Sequence, residues 1–102
     1  MTAQPGSTTI DRWRQIAEEF HAVRWCLEKG MLSADFEPAD LPRLRKGPSS
    51  GALRGVFSFL LHIFNSENRF DLGEVQRWDA AHLQAFHRWV GGKSTGHPCH
   101  YF

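Results

Sequence analysis

Ser58 and His62 stand four residues apart in the segment GALRGVFSFLLHIF (51–64). On a helix that spacing puts a hydroxyl and an imidazole on one face, within reach of each other. A nucleophilic serine also needs an oxyanion site and usually an acid to orient its base. No nucleophile elbow or other catalytic signature surrounds the pair. The tail KSTGHPCHYF gathers His97, Cys99 and His100, donor types that suit zinc, and Cys26 and His21 are the residues to complete a tetrahedral set. Yet the chain has no CxxC, HxxxH or HExxH, and His21 and Cys26 project about 140° apart on a helix. Paired carboxylates occur only as Glu18-Glu19 and in the Asp35–Asp40 loop, where solvation explains them. The chemistry-bearing residues therefore predict no catalysis, no metal and no cofactor.

Two other sets of residues suit binding. After Asp40 the next acid is Glu67, and between them lie Arg43, Arg45, Lys46 and Arg54. Three of these cations precede a helix start at Gly47–Gly51, where free N–H groups and a partial positive charge favour an anion. The segment is not a GxxxxGK[ST] phosphate loop. A nucleic-acid or anion binder using this basic loop is thus the second functional reading. The first comes from Trp25. In a continuous helix it projects with Arg14, Glu18 and His21, nearly opposite the apolar stripe, and a tryptophan on a charged face is a common interface anchor. Arg54, Ser58 and His62, at i, i+4 and i+8, make a polar strip on the central helix that is either its wet side or a seam for a partner. A small interaction module, binding itself as a dimer or another protein, is the leading expectation.

The totals limit the alternatives. A chain of 102 residues suits one domain with a single core. With 41% apolar, 13% aromatic and 23% charged residues it belongs with globular proteins, not disordered ones. A formal charge of +1 gives no global electrostatic attraction to nucleic acid or an anionic membrane. The two cysteines are far apart in sequence, and the first apolar-rich stretch carries Arg12, Arg14, Glu18 and Glu19, unlike a secretory leader. A cytoplasmic protein with free thiols is expected.

The elements that must position these residues are helical. Residues 1–7 form a polar leader, 8–92 the helical domain and 93–102 a tail packing on it. Trp13, Ile16, Ala17, Phe20, Val23 and Leu27 line one face of a helix over about 9–29, opened by Thr8 and Asp11 and stopped by Gly30. Arg14–Glu18 and Arg24–Glu28 are its i, i+4 pairs. Met31, Leu32, Phe36, Leu41 and Leu44 anchor a proline-rich connection with one short turn from Asp40 to Gly47. The helix over about 50–65, capped by Ser49 or Ser50, is apolar over more than half its circumference and should be buried. It is too short and too polar to span a bilayer. A short helix follows over about 72–77, opened by the capping-box pair Asp71 and Glu74, with Phe70, Leu72, Val75 and Trp78 inward; an extended segment over 68–78 is the alternative. A last one over about 79–90, capped by Asp79 and ended by Gly91-Gly92, has Leu83, Phe86, Trp89 and Val90 inward. The fold class is an all-α bundle around the helix at 50–65.

Overall fold

A helix that is apolar on most of its circumference must be covered on several sides, and the computed structural model shows how. It describes residues 9–45 and 51–102, and side chains at all of these except 44, 45 and 51–53. The chain runs as α1 (Thr9–Ala17), α2 (His21–Glu28), a 3-10 turn (Pro38–Asp40), α3 (Leu41–Arg45), α4 (Gly51–Phe64), a 3-10 helix (Leu72–Arg77) and α5 (Ala80–Val90). There is no strand among the described residues. Val56, Phe57, Phe59, Leu60, Leu61 and Ile63 of α4 are all buried, so the all-α bundle around this helix is the fold. Trp13 of α1 donates its indole N–H to the Leu60 carbonyl at 2.8 Å. Phe59 meets Phe20, Phe70, Trp78, Phe86 and Trp89 at centroid distances of 5.0 to 5.9 Å. Such tilted and edge-to-face contacts add to the burial of each ring. The Thr8 and Ser49 or Ser50 caps, and Gly47, lie outside the described residues.

The first helix is two helices. The expected run over 9–29 breaks at Glu18–Phe20, where N–H groups turn to carbonyls three residues back, Glu19 to Ile16 and Phe20 to Ala17. Phe20 is extended, at φ −90° and ψ 129°, and fully buried beside Phe59 and Trp78. A residue of α5 makes this break tolerable. A helix start that is buried needs an acceptor for its free N–H groups, and Phe20 supplies no side-chain cap. His82 supplies one: its Nε2 accepts the Ala22 N–H at 2.9 Å. On the other flank of the break, Glu19 accepts from Arg88 Nε at 3.1 Å and from the Ser94 hydroxyl at 2.9 Å.

His82 is 4% exposed, the one buried polar side chain in the described core. Since Nε2 accepts, the proton resides on Nδ1, which stands 2.8 Å from Asp79 Oδ1 but off the line a hydrogen bond requires. That contact is electrostatic. Asp79 itself caps α5, accepting the His82 backbone N–H at 3.0 Å, and this bond holds its carboxyl below the usual range. Burial pushes the His82 imidazole below its ordinary value against the pull of Asp79, with His21 and Arg24 adding to the push.

The exits of α2 and α5 are Schellman motifs. In α2 the Gly30 and Met31 N–H groups return to Leu27 and Cys26, and in α5 the Gly92 and Lys93 N–H groups return to Trp89 and Arg88. Gly30 and Gly92 sit at φ 75° and 80°, the left-handed region the motif demands. Arg14 does not pair with Glu18. Its guanidinium bonds Asp11 at 2.9 Å and the carbonyls of Phe36 and Asp35 at 2.8 and 3.0 Å, fastening the connection to α1. Leu32, Phe36 and Leu41 anchor that connection as expected, but Met31 is 43% exposed. Leu72 and Val90 are also exposed, because a 3-10 helix and the last residue of α5 present different faces from those of a regular continuing helix. Ala85 and His82 take the inward places on α5.

Two outcomes follow from these contacts. Because the folded state refuses a proton that the unfolded chain accepts, His82 contributes stability that is complete above about pH 6.5 and is lost as pH falls below it. The urea midpoint of the wild type should drop between pH 7 and 5, and His82→Gln, which keeps an acceptor but cannot titrate, should flatten that drop. Gly55 is the second case. A Cβ there would lie 2.9 Å from Trp78 Nε1, a buried ring atom with little freedom to move. Gly55→Ala should therefore destabilise by about 1–3 kcal/mol despite alanine's helix preference of about 1 kcal/mol, as read from denaturant unfolding.

Candidate functional site

The structure distributes the candidate residues over three surfaces. The first is the carboxyl end of α2. Trp25 is 41% exposed there, and His21, one turn earlier on the same helix, is exposed too. Arg14 is no longer on this face, since the break at Glu18–Phe20 ends the register that would align it with Trp25, and its guanidinium is committed to the connection. In the Schellman motif Trp25 holds the position one turn before the end and Met31 the position just past the left-handed glycine, two places this motif brings together. Arg24 and Glu28 do not form the expected i, i+4 pair, and neither has an ion-pair partner among the described residues.

The second surface follows the strip on α4. Arg54 is exposed, and Ser58 and His62 are half-buried. Ser58 lies at the junction of two adjoining clefts. One, of about 550 Å³, is bordered by Arg54, Gly55, Arg69, Glu74 and Arg77. The other, of about 460 Å³, is more apolar, with Pro38, Pro42, Leu61 and Phe64 in its wall. Both imidazole nitrogens of His62 are occupied. Nδ1 lies 2.8 Å from the Asn68 carbonyl, which can only accept, so Nδ1 carries the proton, and Nε2, 2.8 Å from the Tyr101 hydroxyl, accepts from it. A base for Ser58 would have to give up one of these bonds.

The third surface is the tail. The Phe102 N–H donates to the Ile63 carbonyl at 2.7 Å, Trp89 Nε1 donates to the His100 carbonyl at 2.8 Å, and the Cys99 N–H donates to the Trp89 carbonyl at 3.0 Å. His97 and His100 have ring centroids 5.7 Å apart, and burial together with His97 holds the His100 imidazole below its ordinary value. Cys26 is fully buried in the core, where desolvation pushes its thiol up, so it is placed away from the exposed Cys99 by its surroundings. No group of three or more His, Cys, Asp or Glu among the described residues is arranged to hold a metal ion.

Of the basic loop, only the Arg43 and Arg54 side chains are among those described. Arg43 is exposed, 3.9 Å from Asp40, while the Arg45 side chain and Lys46 lie outside them. Arg54 borders the α4 cleft in company with Arg69 and Arg77. Those two arginines have no signal in the sequence, because only the tertiary fold carries them to α4. No described helix is long and apolar enough to cross a membrane. No protein-family model, no curated protein and no solved structure matches the chain.

The His62 bond to the tail gives a direct test. Nitrogen-15 spectra of the histidines should show His62 as the Nδ1–H tautomer. Tyr101→Phe should leave that tautomer in place while lowering unfolding stability by about 1 kcal/mol or less, the range of one partly solvated hydrogen bond.

Proposed function

We propose that the protein is a small cytoplasmic, non-enzymatic interaction module that binds a protein partner, in the first instance a second copy of itself, through the aromatic surface at the end of α2. The observation that carries this reading is Trp25, a large ring left 41% exposed in a fold that buries Trp13, Trp78 and Trp89 almost completely. Tryptophan is enriched among the residues that anchor binding interfaces. Met31, 43% exposed just past the glycine turn, widens the apolar area. The flanking Arg24 and Glu28 carry opposite charges one helical turn apart and have no ion-pair partners among the described residues. Such a patch is self-complementary, because across a two-fold axis each arginine meets the other copy's glutamate. Those rim charges set orientation, while the buried ring carries the affinity.

Light scattering behind size exclusion, over a range of concentrations and in low and high salt, tests the reading. A dimer that persists in high salt and becomes a monomer in Trp25→Ala, with an unfolding temperature within a few degrees of wild type, is the expected result. Each degree of change is small on the scale of a 100-residue domain, where about 1 kcal/mol moves the midpoint by roughly 4–8 °C. A monomer at every concentration would remove self-association as the function of this surface.

A further inference from the structure

We propose that the cleft between α4 and the Leu72–Arg77 helix is a binding site for a phosphomonoester group, gripped by Arg54, Arg69 and Arg77. This site is separate from the Trp25 surface and does not depend on its role. The cleft has a volume of about 550 Å³, and its three guanidinium groups come from α4, the loop after it and the 3-10 helix. Arg54 and Arg69 have no ion-pair or hydrogen-bond partner among the described residues. Arg77 is held only loosely, 3.8 Å from Glu74 Oε2 and with its side chain 77% exposed. Asp71 and Glu74 line the same cleft, and Asp71 accepts the Gly73 N–H at 2.9 Å as the cap of its own helix. With three guanidinium groups against two carboxylates, the lining keeps an excess of positive charge that favours an incoming anion. Three planar forks also present more donors than the two oxygens of a carboxylate can accept, and the oxygens of a phosphate monoester match them better.

A second observation points to a ligand from inside the protein. Trp78 is 4% exposed, and its Nε1–H has no acceptor. The two other buried tryptophans donate, Trp13 to the Leu60 carbonyl and Trp89 to the His100 carbonyl. A buried indole N–H without a partner costs free energy and calls for an explanation. The Trp78 donor lies directly behind Gly55 in the cleft wall, where the absence of a side chain leaves room for it. Glu74 Oε1 approaches the same glycine: the point a Cβ would occupy at residue 55 is 2.9 Å from Trp78 Nε1 and 3.5 Å from Glu74 Oε1. Glu74 thus has one oxygen 3.8 Å from Arg77 and the other near the face of Gly55 that Trp78 Nε1 also meets. When a phosphate takes Arg77, Glu74 loses its cation and turns onto Trp78 Nε1–H, satisfying the buried donor. Ligand binding and the repair of an internal defect are thus the same motion.

The Trp78 indole resonance in a proton–nitrogen correlation spectrum reports this motion, and its proximity to Gly55 assigns it. Inorganic phosphate, adenosine monophosphate and a short neutral peptide carrying one phosphoserine are the probes, with acetate as the control anion. The expected result is a saturable shift of the Trp78 indole signal with the phosphate probes, far weaker with acetate. Tighter binding of the nucleotide identifies a small-molecule ester as the source of the group, and tighter binding of the peptide identifies a phosphorylated side chain. Arg54→Gln with Arg69→Gln, both at exposed positions, should weaken binding at least about tenfold while leaving the unfolding temperature and the circular dichroism unchanged. The proposal is overturned by an indole signal that does not saturate with any phosphate probe up to ~10 mM, a range that covers even weak specific sites. Equal binding of acetate would overturn it as well, and so would an undiminished shift in the double variant.

Discussion

A backbone N–H at the buried start of a helix must find an acceptor, and in this molecule the acceptor for α2 is an imidazole sixty residues away. The Ala22 N–H to His82 Nε2 bond is what makes the break at Glu18–Phe20 tolerable. Leaving that donor without a partner would cost roughly 1–3 kcal/mol, comparable to what burying one large apolar side chain returns. With the donor satisfied, the chain gives up one turn of continuous helix and Phe20 turns into the aromatic cluster around Phe59. Glu19, freed from a helical register, reaches Arg88 and Ser94 on and beyond α5. The Glu19–Arg88 pair is partly exposed and adds little by itself. Its value is geometric, because with the His82 bond it fixes α5 against the break from two directions.

The direction of α2 then decides what remains outside. As an extension of α1, the second half of the expected helix would have carried Arg14 and Trp25 on one charged face. As a separate helix it buries Ala22, Val23 and Cys26 and leaves Trp25 exposed, while Arg14 stays behind with the connection. The glycine-ended turn after Lys29 returns the Met31 N–H to the Cys26 carbonyl and leaves Met31 exposed. The exposure of Trp25 thus follows from the same contact that completes the core.

Features fixed by neighbours in sequence were legible in the sequence. The breadth of the apolar face on α4, the Asp79 cap, the short helix opened by Asp71 and the glycine stops at Gly30 and Gly92 each depend on a few adjacent residues, and each stands where the pattern put it. Features fixed by distant neighbours were not. The spacing of Trp13, Ile16, Ala17, Phe20 and Val23 is compatible with one helix, and nothing near residue 20 announces that His82 will cap a second. Arg14 had an acid at i+4, yet two backbone carbonyls of a folded loop offered its fork better geometry. Leu72, Val90 and Met31 were apolar enough to belong inside but sit at element ends, where the facing direction depends on the turn geometry. The candidate strip Arg54, Ser58 and His62 was visible as a helical row. Its surroundings, Tyr101 on His62 and Arg69 with Arg77 opposite Arg54, are contributions of the fold alone.

In a core this small, polar groups are either matched or conspicuous. Trp13 and Trp89 reach carbonyls, His62 is bonded through both nitrogens, and Glu19 and Arg14 each hold two elements together. His82 Nδ1 lacks a well-aligned bond but has the Asp79 carboxylate at its side. Trp78 Nε1 has no such compensation, and it lies behind the bare glycine of the arginine-lined cleft. A strained donor could be dismissed if the surrounding side chains were fixed, but Glu74 is partly exposed and only loosely paired. The cleft therefore has a movable carboxylate near both a buried donor that needs it and a cation that an incoming anion can take.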